Sequence, residues 1–116
     1  MSRAGLRHIS LKTPDLKKTV GFYTEVLGLK VAFRVPPKRV FLRSPGGDDL
    51  LDFVKSDEKI RPDRGLDHFG FKVSRPSLTK MEKRLQENHV KIEGRRGKSS
   101  IYFRDPNGYR VEFYCD

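Results

Sequence analysis

A chain of 116 residues can bury one core but not two independent ones; 35% hydrophobic and 34% charged residues are polar for a globular protein, yet the aromatics and alternating apolar runs argue against disorder. No apolar run approaches the roughly 18 residues that cross a bilayer, the N-terminal MSRAGLRH carries no signal-peptide segment, and the lone Cys115 excludes an internal disulfide, all pointing to a cytoplasmic protein. Lys plus Arg number 25 against 15 Asp plus Glu, a net charge of +10; spread along the chain, without a polybasic block or nucleic-acid-reading motif, they argue for a solvated basic surface first, a small anionic substrate second and nucleic acid last.

In chain order, LRHISLK at 6–12 alternates as a half-buried strand, with Ile9 and Leu11 on one face and His8 and Ser10 on the other. Thr13 and Pro14 predict a helix start, a capping hydroxyl followed by proline at the first helical position. Leu16, Val20, Tyr23 and Leu27 then recur at helical spacing up to a left-handed stop at Gly28. KVAFRV at 30–35 alternates again, which predicts that Val31, Phe33 and Val35 pack and that Arg34 shares the face of His8. VFLR at 40–43 and LLDFV at 50–54 are two further strands joined by SPGGD.

The polar stretch KSDEKIRPDRG at 55–65 separates this half from a second. LDHFGFKV turns Phe69, Phe71 and Val73 inward and His68 outward. Leu78, Met81 and Leu85 predict a helix ended near Asn88 in the left-handed conformation, with His89 as a capping partner. VKIEG, SIYFR and YRVEFY complete the order, the last two joined by DPNG.

The two halves are copies. LRHISLK at 6–12 answers LDHFGFK at 66–72, pairing His8 with His68 and Gly5 with Gly65, and FLRSPGG at 41–47 answers YFRDPNG at 102–108. With one extra residue absorbed, LLDFV lies over RVEFY, pairing Asp52 with Glu112. Each copy therefore carries a histidine on its first strand and a carboxylate on its last, on the face opposite the packed phenylalanines. If each sheet curls around that face, His8, Asp52, His68 and Glu112 can converge on a divalent transition metal such as Zn, Ni, Co, Mn or Fe. Aspartate is one methylene shorter than glutamate, so Asp52 decides between four-ligand and three-ligand geometry. An alternating strand puts polar residues on its outer face in any case; the metal assignment rests on all four occupying matching positions.

On His8, TPDLKKTVGFYTEVLGLKV at 13–31, His68 and YFRDPNGYRVEF at 102–113, the chain resembles the vicinal oxygen chelate superfamily, the glyoxalase, bleomycin resistance and extradiol dioxygenase group. The resemblance implies an α+β fold of two βαβββ modules (about 5–54 and 65–115, linked by 55–64) forming a curled sheet around a metal site in a single domain. It implies a homodimer, with sites built from halves of different chains in several relatives. His8, His68 and Glu112 match the shared ligands, and Asp52 stands where a further ligand occurs in some branches. The function implied first is a glyoxalase-like lyase or isomerase on a small anionic substrate with vicinal oxygens, with Glu112 as the catalytic base. The alternatives are an extradiol-type dioxygenase, although GRRGKSS at 94–100 lacks the histidine those enzymes carry, and a fosfomycin-type thiol transferase, which shares Tyr102 and a hydroxyl at Ser10. A non-catalytic drug-binding protein is the third. Arg34, Arg43, Lys72, Tyr102, Arg104 and Arg110 share the parity of the ligands and, with Ser10, are the expected substrate contacts, the arginines for oxyanions.

Overall fold

The computed structural model describes residues 5–116; Met1–Ala4, within the stretch read as carrying no signal-peptide segment, lie outside the described residues. The chain divides into two compact units at the 60/61 boundary, inside the polar linker. The first runs β1 (His8–Thr13), α1 (Leu16–Gly21), a π-helical turn (Phe22–Val26), β2 (Lys30–Val35), β3 (Arg39–Arg43) and β4 (Leu50–Lys55). The second runs β5 (Phe69–Lys72), α2 (Arg75–Glu87), β6 (Ile92–Arg95), β7 (Ser100–Arg104) and β8 (Arg110–Tyr114). Each is a βαβββ module with an open four-stranded sheet, in orders β1-β4-β3-β2 and β5-β8-β7-β6. The first strand of each lies parallel to the last, and the other pairs are antiparallel. No helix among the described residues is long and apolar enough to cross a membrane.

Each sheet turns one face to its own helix. Tyr23, Leu42 and Phe53 are fully buried in the first module, with the Tyr23 and Phe53 rings 5.0 Å apart. Leu85, Phe103 and Val111 are fully buried in the second, beside Leu78 and Met81 of α2. Cys115 is buried and unpaired.

Both helix ends differ from the sequence expectation. The α1 cap is Asp15, whose carboxylate accepts from the Lys18 amide at 2.9 Å, while the Thr13 hydroxyl bonds Thr19 Oγ1 at 2.9 Å. Thr13 is the last residue of β1 and points inward, so its hydroxyl serves the core and the next polar residue takes the cap. At the end of α2 the left-handed residue is His89 (φ 60°), not Asn88. The Val90 amide donates to Leu85 O at 2.8 Å and the His89 amide to Gln86 O at 3.1 Å, the paired bonds of a Schellman turn.

A bulge in β2 changes which side chains share a face. Val31 pairs with Leu42, but Phe33 pairs with Phe41, so Ala32 is an extra residue and all positions beyond it invert. Val31, Phe33 and Val35 stay outside the core: they are 38%, 45% and 48% exposed on this edge strand. Arg34 pairs with Val40, on the helix-facing side, instead of joining His8. The second module carries the same bulge between Ile92 and Gly94.

Candidate metal centre

On the face of the first sheet away from α1, the register aligns Ser10, Asp52, Phe41 and Phe33 across four strands. Asp52 is fully buried. A carboxylate taken out of water needs donors and a countercharge, and both are present. Oδ1 accepts from Ser10 Oγ at 2.8 Å and from Arg39 Nη1 at 2.6 Å, and Oδ2 meets His8 Nε2. Arg39 Nη1 also donates to Ser10 Oγ at 2.9 Å. The His8 ring lies 5.5 Å from Phe41, which stacks on Phe33 at 4.3 Å.

The matching face of the second sheet aligns Gly70, Glu112, Tyr102 and Gly94. His68, one residue before β5, holds Nε2 at 3.3 Å from Glu112 Oε1. Its Nδ1 bonds the Asp67 carboxylate at 2.6 Å, orienting the ring so that Nε2 faces the glutamate. That hydrogen bond holds Asp67 below the usual carboxylate range, with the positive charges of Arg110 and Arg104 adding to it. Arg96 reaches Glu112 Oε2 at 3.4 Å, and its bonds to Tyr102 and then Glu112 raise it above its ordinary value. The Tyr102 ring meets His68 edge-on at 5.3 Å, and the Arg110 guanidinium lies 4.3 Å over that ring. A Cβ on Gly70 would come within 3.2 Å of Glu112 Oε1, so glycine keeps this carboxylate oxygen clear.

Each module thus presents one imidazole and one carboxylate, and among the described residues no three His, Cys, Asp or Glu side chains form a metal-holding group. The donor chemistry of the second pair fits a borderline transition metal, since Nε2 and Oε1 face each other and the cation at Glu112 stands on the other oxygen at a long distance. Asp52 differs because Arg39 already neutralises it.

Ser10 is the donor on Asp52 described above, and the remaining expected substrate contacts are placed as follows. Tyr102, Arg104, Arg110 and Lys72 share the face of Glu112. Arg104 is engaged by Asp63 at 2.7 Å and Glu93 at 3.0 Å, Arg110 by Glu93 at 3.0 Å and Lys72 by Asp116 at 2.8 Å. Arg43 lies on the Asp52 face and donates to Asp49 O at 3.3 Å. Arg34 is apart from the others, in a groove of about 450 Å³ with Leu16, Val20 and Gly21 that includes neither His8 nor Asp52. Sequence reasoning missed Arg39, Asp67 and Arg96. Arg39 carried a usable signal, standing two residues before Phe41 and so on the face of Asp52.

A family model of the Glyoxalase/Bleomycin resistance protein/Dioxygenase superfamily matches residues 5–113. The chain belongs to that superfamily. Among its relatives, the metallothiol transferase FosB of Staphylococcus saprophyticus is 28% identical over 94% of this chain and 75% of its own length. A metapyrocatechase of Geobacillus stearothermophilus is 30% identical over 97% of this chain, which spans only 35% of that enzyme. Among solved structures of the superfamily's fold, an integron cassette protein from the mobile metagenome of the Halifax Harbour sewage outfall superposes with a TM-score of 0.83 at 27% identity, covering 98% of this chain and 100% of its own.

Proposed function

We propose that this superfamily member is a metal-dependent enzyme for a small anionic substrate with adjacent oxygens, with His8, His68 and Glu112 as the ligands of its divalent transition metal. The observation that carries this proposal is the unequal state of the repeated carboxylates. Each turns an oxygen to a histidine Nε2, but Asp52 is fully buried and bonded by Arg39 at 2.6 Å, whereas the Arg96 guanidinium stands 3.4 Å from Glu112. A carboxylate already neutralised by a guanidinium gains little from a second cation, so Asp52 serves as support for His8 and the donor set is two imidazoles and one carboxylate.

When bound, the metal supplies Lewis-acid polarisation of the substrate oxygens. The chain's own residues do the rest. Asp67 and Asp52 orient the two imidazoles, and Gly70 keeps Glu112 Oε1 accessible. Arg96 and the His68 ring fix Tyr102, whose phenol is the group placed to hold a proton at a substrate oxygen. Three donors with a positioned tyrosine match the expectation for the thiol-transferase branch. The similarity to FosB over three quarters of that enzyme's length supports addition of a thiol to a small oxyanion-bearing electrophile. Glyoxalase-like lyase or isomerase chemistry is the second proposal, favoured by the clear Oε1 of Glu112 as a base.

The test is disappearance of free thiol with fosfomycin as the electrophile, and separately isomerisation of hemithioacetals, each with metal-loaded and chelated protein. Metal-dependent thiol loss that falls at least a hundredfold in Tyr102→Phe supports the first proposal. Metal-dependent isomerisation without thiol loss supports the second, and turnover unchanged by chelation contradicts both.

A further inference from the structure

Around Arg39 the two modules diverge. By the repeat, Arg39 occupies the β3 position that Ser100 occupies on β7, each two residues before the central aromatic, Phe41 or Tyr102. The substitution puts a guanidinium over Asp52 where the second copy has only a hydroxyl. Two contacts hold that guanidinium among the described residues, Asp52 Oδ1 and Ser10 Oγ, and both use the single nitrogen Nη1. Asp52 has two further donors, from Ser10 and His8, so it anchors the arginine without consuming its whole fork. The Arg39 side chain is 36% exposed, leaving Nη2 for an external acceptor.

Apolar surface borders this cation. The bulge in β2 brings Phe33 and Val35 onto the face of Arg39, with Val35 directly opposite Arg39 and Phe33 opposite Phe41. Phe33 and Phe41 stack at 20°, the Phe33 residue is 45% exposed, and the stack continues to His8. A guanidinium with free N–H groups beside a partly exposed aromatic face recognises a particular shape: a planar apolar body ending in an oxyanion.

We infer that Arg39, seated on Asp52, is the oxyanion anchor of this protein's substrate, and that Phe33 and Phe41 bind the planar or apolar body attached to that anion. The inference rests on the proposal that His8 belongs to the active site, because the stack leads from His8 to Phe33. It assigns Arg39 and Phe33 to specificity and identifies the ligand class as an aryl or alkenyl carboxylate or phosphonate, larger than a bare phosphate or phosphonate.

Phenylphosphonate is the probe, with methylphosphonate lacking the ring and benzyl alcohol lacking the charge. Binding to the full chain is measured by titration calorimetry, as purified and after chelation. Phenylphosphonate is expected to bind in both states and at least tenfold more tightly than either control. Arg39→Gln should weaken it roughly ten- to hundredfold, the worth of a charge-assisted bond, and Phe33→Ala about three- to tenfold. Because Arg39→Gln leaves a buried carboxylate without its cation, the pair Arg39→Gln with Asp52→Asn removes both charges, and it should melt cooperatively while showing the same loss. Absence of phenylphosphonate binding to the chelated wild-type chain, or unchanged binding by the doubly substituted chain, overturns the inference. Metal content is read on the same wild-type and His68→Ala samples. Metal unaffected by His68→Ala, with Arg39-dependent binding intact, would overturn the metal assignment and leave the anchor standing.

Discussion

Replacing Arg39 by Met should destabilise the first module through Asp52. The carboxylate is fully buried and the bond from Arg39 Nη1 is 2.6 Å long. Removing one partner of a buried ion pair costs about 3–5 kcal/mol, because the remaining charge stays out of water. Two features reduce that figure here: Ser10 and His8 still donate to Asp52, and Arg39 is itself partly exposed. The expected loss is about 2–3 kcal/mol at neutral pH, which for a chain of this size lowers Tm by about 8–15 °C. Circular dichroism melts and urea titrations measure it. Adding Asp52→Leu should restore most of the loss, since apolar replacement of both members of a buried pair is often neutral or better. A single substitution costing less than about 0.5 kcal/mol, or a double variant no more stable than the single, would refute the assignment of Asp52 as a carboxylate held by its arginine.

His89 stands at the helix-end slot that Gly28 fills in the first copy, with φ of 60° and 80° respectively; His89→Gly should therefore raise stability by about 0.5–1 kcal/mol, visible as a Tm increase of a few degrees. Gly70→Ala should crowd Glu112 Oε1, 3.2 Å from the added Cβ, and lower metal affinity about tenfold or more with little change in Tm. Glu82 is held below the usual carboxylate range by its hydrogen bond with Arg95, at 2.7 Å. Its folded value is lowered, so its contribution is complete above the ordinary glutamate range and disappears as pH falls through the folded value. Glu82→Gln should therefore cost no more than about 1 kcal/mol at pH 7, and the difference from wild type should vanish in acid melts.

The duplication was legible because physical slots repeat with the residues. Gly5 and Gly65 both take positive φ before their histidines, and both carboxylates fall on the strand parallel to the first. Alternation, turn signals and the repeat located the strands of the described residues, yet alternation misassigned the faces of β2, because KVAFRV alternates by side chain while its backbone carries a bulge at Ala32. Nothing in a single strand announces a bulge; it shows only against the register of the neighbour. The repeat held a clue for His89, which aligns with Gly28 at the same spacing that aligns FLRSPGG at 41–47 with YFRDPNG at 102–108. Arg39 went unread for a different reason. Its importance comes from the complete burial of Asp52, and burial depends on what packs over a carboxylate more than on strand parity.

In the proposed site, two histidines and one carboxylate, Glu112, hold the metal and Asp52 does not. Metal analysis of the wild-type chain beside Asp52→Asn, His8→Ala, His68→Ala and Glu112→Gln tests it most directly. Stoichiometric divalent metal is expected in the wild type and in Asp52→Asn, with loss of at least nine tenths of it in each of the other three. Metal lost on Asp52→Asn but kept in Glu112→Gln, or kept in both histidine variants, would contradict it.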